Sequence, residues 1–472
     1  ISVEGNILNI GFSESLDAYS AENPINYILQ NSMENPDSVF LNEENASSVS
    51  LYFKTTFING IDYLLIVKNV CDLSGNCIAD TIISFSYYIP RPFDIIINEI
   101  MADPVPSSGL PEHEYIELYN CTGFPADLSG WKLVVGNTEK ELREVVILPE
   151  KYLIICSESA AFEMSFFGQV FSFSSLSLTN AGQSISLFDD SGQLISTVTY
   201  DDGWYNDQDK AEGGWSLELV NPKNPCAGSE NWTSSVYEYG GTPGQENSVL
   251  DYIEIPVMVD RACYINDSVF SIFFNQMMDA ATLSNIESYK LDYGIGYPLK
   301  AEVAASCVDN VILYFDRAID DNVIYRLEIS SQVSNCVGSP MFSSCEVMLG
   351  LPGEAVFNDL VINEILFNPL AGGEDYVELY NRSEKIIELS EISLASIKSS
   401  FPNPEDTVIK EITEDCNLCF PGEFVCLSKN PERVMDYYYS NNPEAMISMG
   451  SFPSFNNDEG RVALVGRSGY FI

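Results

Sequence analysis

Short apolar segments alternate with polar punctuation along the whole chain. Phe12, Leu51 to Phe53, Tyr63 to Val67 and Ile95 to Ile100 lie in stretches rich in β-branched and aromatic residues. Gly, Pro, Asn and Asp clusters interrupt them about every 8–12 residues, the spacing of strands and turns in a β-sandwich. In Tyr115-Ile116-Glu117-Leu118-Tyr119-Asn120 the period of two puts Ile116 and Leu118 on one face, with Tyr115, Glu117 and Tyr119 on the other. Helical periodicity is confined to short turns expected near Ala160 to Ser165 and Pro431 to Tyr438. The pattern predicts an all-β chain.

The pattern also repeats. Ile10, Leu16, Tyr27, Val49, Leu51 and Tyr63 have counterparts in Ile272, Met278, Tyr289, Val311, Leu313 and Tyr325, each 262 residues later. A second unit follows each copy of the first. Ile97-Asn98-Glu99-Ile100 returns as Ile362-Asn363-Glu364-Ile365, and Tyr115 to Asn120 returns as Tyr376 to Asn381. The offsets are 265 and 261, so the intervening loop is four residues shorter in the second copy. We read tandem Ig-like sandwiches in an A-B-A′-B′ order, with modules at 1–92, 93–249, 250–353 and 354–472. Junctions fall near Pro90-Arg91-Pro92, Val249 to Pro256 and Leu351-Pro352-Gly353; short Pro-bearing linkers of this kind favour a semi-rigid chain.

Composition narrows the function classes. The chain has 472 residues, 69 acidic and 22 basic, for a formal net charge of −47. With 46% hydrophobic residues it can fill real cores, which separates it from acidic disordered tails. The carboxylate surplus repels phosphate backbones and anionic bilayers, so no nucleic-acid partner is expected. No apolar run approaches the ~20 residues of a membrane-spanning helix. The chain opens on Ile1 without a Met or a leader, which reads as a trimmed start. A single histidine, His113, removes most histidine triads and His-ligated zinc sites from contention, and it is expected in an exposed loop.

Twelve cysteines suit disulfides in an oxidising compartment. Cys71 and Cys77 bracket the turn Asp72-Leu73-Ser74-Gly75-Asn76, and Cys336 and Cys345 bracket a Gly-Ser-Pro turn, so both pairs are disulfide candidates. Buried reduced thiols are the alternative. Cys416-Asn417-Leu418-Cys419 has a redox or zinc spacing without a strand-to-helix context or a nearby histidine; with Cys426 close by, a local disulfide with one odd thiol is expected.

Three groups of residues could carry chemistry. Glu99 with Glu117, and Glu364 with Glu378, could be paired glycosidase carboxylates. Each sits within a repeated strand motif beside Asn98 or Asn363, which favours structural acceptors of hydrogen bonds. Asp201, Asp202, Asp207, Asp209 and Glu212 form the densest acidic loop, a speculative calcium site whose spacing does not fit an EF-hand. Tyr437-Tyr438-Tyr439 could offer an aromatic platform to a sugar or simply pack. No catalytic residues are assigned, and no cofactor is required.

The B unit resembles the lamin tail domain. The resemblance rests on Asn98-Glu99-Ile100, Glu114 to Asn120, Leu128-Ser129-Gly130-Trp131, Leu178 to Gly182, Gly214 to Glu218, Asn231-Trp232 and Gly241 to Ser248. In the second copy Trp131 is replaced by Ile392, and the match stops near the counterpart of Ile195, so this module is expected to be incomplete. The A unit resembles bacterial Ig-like domains of surface-layer and adhesin type, through Phe12-Ser13-Glu14-Ser15-Leu16-Asp17 and the Asp72 to Asn76 turn. Alternation of the two resembles cell-surface proteins of the Bacteroidetes. Asp37-Ser38-Val39, Asp80-Thr81-Ile82, Asp267-Ser268-Val269 and Asp406-Thr407-Val408 resemble the O-glycosylation acceptor pattern of that group.

These resemblances imply a non-catalytic, monomeric spacer or binding scaffold outside the cell or on its surface. Outer-membrane association in a Gram-negative bacterium is the expectation, with the periplasm as second choice. Its partner would be a surface protein or glycan. Two other readings remain open: the accessory region of a larger secreted hydrolase or nuclease, and a calcium-stiffened adhesin.

Overall fold

Every second side chain is buried along Ser48–Tyr52 and along Tyr325–Ile329, as strands with one face on a core require. Strands of this kind account for most of the regular structure in the computed structural model, which describes residues 2–30, 34–42, 45–304, 307–397, 407–456 and 460–472. The longest helix among them is Pro431–Tyr437, so the chain is all-β. No helix among the described residues is long and apolar enough to cross a membrane. The polypeptide divides into two compact units, Ile1–Glu254 and Ile255–Ile472.

The first unit begins with two facing sheets. One is four-stranded, in the order Ser2–Glu4, Ile7–Gly11, Ser48–Tyr52, Ser38–Leu41; the other pairs Tyr27–Leu29, Ile61–Val67 and Thr81–Tyr87. Leu8, Ile10, Val49 and Leu51 from one sheet meet Tyr27, Leu65 and Val67 from the other in a single core. Phe12 falls just beyond its strand, which ends at Gly11, and packs against this core. A six-stranded sheet follows, in the order Val170–Phe173, Tyr152–Ser157, Tyr115–Asn120, Ile95–Met101, Leu217–Leu219, Trp232–Ser234. Thr138–Glu141, Lys132–Val135, Gly182–Phe188 and Leu194–Asp201 form a further four-stranded sheet.

The second unit repeats much of this. Val259–Asn266, Val269–Asp279, Cys307–Tyr314 and Lys300–Glu302 make one sheet, and Tyr289–Leu291, Tyr325–Ile329 and Cys345–Leu349 the facing one. The repeat extends to single hydrogen bonds. Asp17 caps the short helix Ala18–Ala21 and Asp279 caps Ala280–Leu283. The buried hydroxyl of Tyr27 donates to the Ala21 carbonyl at 2.8 Å, and that of Tyr289 donates to Leu283 at 2.8 Å. Beyond these, Leu360–Leu366, Tyr376–Asn381, Phe424–Ser428 and Met446–Ser448 pair in that order.

The cysteines depart from the sequence reading at two places. Cys71 and Cys77 are joined across their turn. Cys336 and Cys345 are not joined to each other: Cys336 is held in a disulfide, while Cys345 is a free thiol at the start of its strand, opposite Ile329. The local bridge expected at Cys416 is also corrected. Cys416 is bonded to Cys263, 153 residues away, and Cys419 and Cys426 are free thiols. Cys419 faces Ile387 across a two-stranded ladder and is fully buried, so it serves as a small apolar side chain.

Candidate functional site

The six-stranded sheet carries three carboxylates in one row. Glu218 lies directly opposite Glu99, and Glu99 directly opposite Glu117, on three adjacent strands. All three are fully buried. A β-bulge at Asn98 makes this possible: Ile97 pairs with Leu118 while Glu99 pairs with Glu117, so Asn98 is the extra residue. Its side-chain amide turns onto the same row, donating to Glu117 Oε1 at 3.0 Å and to Asn247 Oδ1 at 2.7 Å.

No cation enters the cluster; hydroxyls and backbone amides satisfy it. Glu99 Oε1 accepts from Tyr115 Oη at 2.7 Å, Ser216 Oγ at 2.6 Å and the Thr242 amide at 2.8 Å. Glu218 accepts from Thr242 Oγ1 at 2.9 Å and Ser248 Oγ at 2.8 Å. Glu117 Oε2 accepts from the Gly244 amide. Asn247 donates to the Asn98 and Leu219 carbonyls. The segment from Gly240 to Val249 is thus fastened over the sheet mainly by carboxylates. Gly241 is required there, because a Cβ would lie 2.6 Å from Glu99 Oε1.

Burial without a counter-ion favours protonation. Burial, and then the charge of Glu218, push the Glu99 carboxyl up to about 7. Burial and the neighbouring Glu99 hold Glu117 well above the usual carboxylate range. The second oxygen of Glu99 is buried with no hydrogen-bond partner, where a proton in place of a charge is the less costly occupant.

The second unit presents the same row uncovered. Glu364 lies opposite Glu378, with a bulge at Asn363. Asn363 donates to Glu378 Oε1 at 2.6 Å, and the Tyr376 hydroxyl donates to Glu364 Oε1. Here Asn363 and Glu364 are exposed and Glu378 is half-buried. A cleft of 720 Å³ opens over them, lined also by Tyr376, Cys426, Tyr438 and Tyr439. Cys426, opposite Glu378, is pushed up to about 12 by burial and the two carboxylates, so it is a poor nucleophile at neutral pH.

The remaining candidates do not converge on a site. The five acidic residues proposed for calcium are all exposed. The Asp201 carboxylate accepts from the Gly203 amide, and Asp207 accepts from the amides of Asp209 and Lys210 as a helix cap. Among the described residues no three His, Cys, Asp or Glu side chains are placed to hold a metal ion. His113 is 26% exposed rather than fully so, with Nε2 3.7 Å from Glu163. Tyr437 reaches the Ala371 carbonyl and Tyr438 packs on Tyr376, leaving only Tyr439 freely exposed. Asp406 lies outside the described residues.

Glu218, Ser216, Thr242 and Asn247 were not singled out for chemistry in the sequence. The signal was present in part, since Ser216 and Glu218 alternate on one face of a strand.

Residues 90–202 match the family model described as Lamin Tail Domain. None of the curated proteins compared matches the chain. Among solved structures, the N-terminal part of the bacterial S-layer protein SbsC is 15% identical over 36% of this chain and 45% of that one, with a TM-score of 0.19. SbsC domains 1–6 are 12% identical over 87% of this chain and 62% of that one, with a TM-score of 0.18. A Bacteroides ovatus protein, SGBP-B of the mixed-linkage glucan utilization locus, in complex with a mixed-linkage heptasaccharide, is 9% identical over 87% of this chain and 82% of that one, with a TM-score of 0.15. The chain spans 45% and 62% of the length of the two SbsC structures. Superpositions this loose carry no functional argument.

Proposed function

We propose that this chain is a non-catalytic scaffold of four β-sandwich modules, divided at 1–92, 93–249, 250–353 and 354–472. It acts outside the cell or on its surface, spacing or presenting binding faces toward a surface protein or glycan. The observation that carries this reading is the use made of the acidic cluster. Glu99, Glu117 and Glu218 spend their oxygens on Ser216, Thr242, Gly244, Ser248 and Tyr115, closing the module and leaving no pocket in which a substrate could meet two carboxylates. The disulfides Cys71–Cys77 and Cys263–Cys416 support an oxidising compartment. The net charge of −47 supports a solvated, self-repelling surface and a partner other than nucleic acid. In this reading the scaffold needs no cofactor and works as a monomer.

The test pairs a binding screen with an activity screen on the purified chain. Saturable binding to a glycan or an extracellular protein, without turnover of glycoside, phosphodiester or peptide substrates, sustains the reading. Turnover that disappears in a folded Glu364→Gln or Glu378→Gln variant would overturn it.

A further inference from the structure

The two copies of the Asn-Glu bulge differ in one respect: what lies on them. Ile95–Met101 is an interior strand, hydrogen-bonded on one side to Tyr115–Asn120 and on the other to Leu217–Leu219, and it is buried along its whole length. Its counterpart Leu360–Leu366 pairs only with Tyr376–Asn381 and stands first in its sheet among the described residues. Ile100 is fully buried, whereas its equivalent Ile365 is 38% exposed. An edge strand with a free row of backbone donors and acceptors, an exposed isoleucine and open carboxylates is an unstable surface to leave bare.

We propose that the edge of Leu360–Leu366 and the Glu364–Glu378 face form a strand-accepting site. Its occupant is an extended polypeptide segment with the chemistry of residues 212–249: a strand bearing Ser and Glu on one face, followed by a Gly-Thr-Pro-Gly turn and a buried Asn. The template for the fit is seated in the first unit of this chain. There Leu217 and Glu218 pair with Ile100 and Glu99, Ser216 Oγ and the Thr242 amide reach Glu99, the Gly244 amide reaches Glu117, and Asn247 binds Asn98. Every acceptor of that set has its equivalent in place in the second unit: Glu364 oriented by Tyr376, and Glu378 oriented by Asn363. The donors are what the occupant supplies. A backbone edge demands N–H and C=O partners at strand spacing, which a peptide provides and a sugar does not. The inference is independent of where the protein resides or what else it binds.

The experiment uses the full 472-residue chain and a synthetic peptide with the sequence of residues 212–249. Calorimetry should show saturable binding, weakened at least tenfold by Glu364→Ala combined with Glu378→Ala. These side chains are exposed or half-buried, and the melting curve of the variant checks that it still folds. A peptide carrying Gly241→Ala should also bind at least tenfold more weakly, because its Cβ would strike the equivalent of Glu99. No saturable binding up to about 1 mM peptide, the millimolar floor of specific association, overturns the proposal. So does binding unaffected by the double variant. Maltoheptaose and cellohexaose run in parallel; Glu364-dependent binding of either sugar but not of the peptide would make the face a glycan site. Sedimentation without peptide completes the set: a dimer abolished by the double variant would make the occupant a second copy instead.

Discussion

Glu99 and Glu117 face each other as directly opposed residues on neighbouring strands, both fully buried, with no cation to separate their charges. Like charges in that position repel strongly at low dielectric, so the pair is stable only while it holds a proton. The same two residues anchor the segment that closes the sheet, through Thr242 and Gly244. Protonation and closure of the module are therefore linked.

The linkage has a sign. Glu99 titrates at about 7 in the folded chain against an ordinary 4.5, so the folded state keeps a proton that the unfolded state has lost. Its contribution to stability is complete below about pH 4.5 and disappears as pH rises through about 7. Urea unfolding from pH 5 to 8 should show the first unit losing stability faster in the wild type than in Glu99→Gln, which cannot ionise. The difference should amount to about 3 kcal/mol at most, from 1.36 kcal/mol per pKa unit. Parallel pH profiles for the two proteins would show that Glu99 is ionised throughout.

Gly241 tests the closing segment by volume. A methyl group there would lie 2.6 Å from Glu99 Oε1, 2.7 Å from Tyr115 Oη and 2.8 Å from Ser216 Oγ. Gly241→Ala should cost about 1–3 kcal/mol in urea unfolding, the usual range for overpacking. Gly123→Ala, where a Cβ meets nothing within 4 Å, should change stability by less than about 0.5 kcal/mol. Equal effects at the two positions would contradict the packing described.

The sequence made some of this legible and hid the rest for identifiable reasons. Strand alternation and the 262-residue offset exposed Tyr27 with Tyr289 and Glu99 with Glu364, because each pair sits in a local pattern that repeats. Glu218 and Thr242 escaped notice because they reach Glu99 from far along the chain; the bond from Thr242 spans 143 residues. The Cys416 bridge was misjudged for the same reason: a C-x-x-C spacing suggests a local bond, whereas the fold brings Cys263 alongside from 153 residues away. Burial of Glu117 depends on a cover that alternation along its own strand cannot reveal.

Calcium removal offers a direct check on the acidic loop. Asp201 and Asp207 already accept hydrogen bonds from nearby backbone amides, and the other three carboxylates of the group point into solvent without converging. A chelator should leave the melting temperature unchanged within measurement error. A drop of several degrees, reversed by added calcium, would show an ion at this loop or elsewhere.

The two disulfides should differ in weight. Closing a 153-residue loop constrains the unfolded chain by about 5 kcal/mol, and closing a six-residue loop by about 2 kcal/mol, on the chain-entropy relation. Cys263→Ser with Cys416→Ser should therefore lower the stability of the second unit more than Cys71→Ser with Cys77→Ser lowers that of the first. Comparable losses would mean that the long loop is already compact before folding.

The buried tyrosines provide the sharpest test of equivalence between the repeats. Tyr27 and Tyr289 are both completely buried, and each donates to a carbonyl six residues earlier at 2.8 Å. Burial raises both phenols, so neither ionises near neutral pH and only the hydrogen bond is at stake. Replacing either by Phe keeps the ring packing and leaves one buried carbonyl without its donor, a loss of about 1–3 kcal/mol. Because the environments match, Tyr27→Phe and Tyr289→Phe should cost the same within about 0.5 kcal/mol. Each should act on its own unit alone, since the two tyrosines lie in different compact units with separate cores. Hydrogen exchange read unit by unit separates the outcomes: protection should fall in Ile1–Glu254 for the first variant and in Ile255–Ile472 for the second. A marked inequality would show that 262 residues of separation preserve the residue but not the energetics of its site.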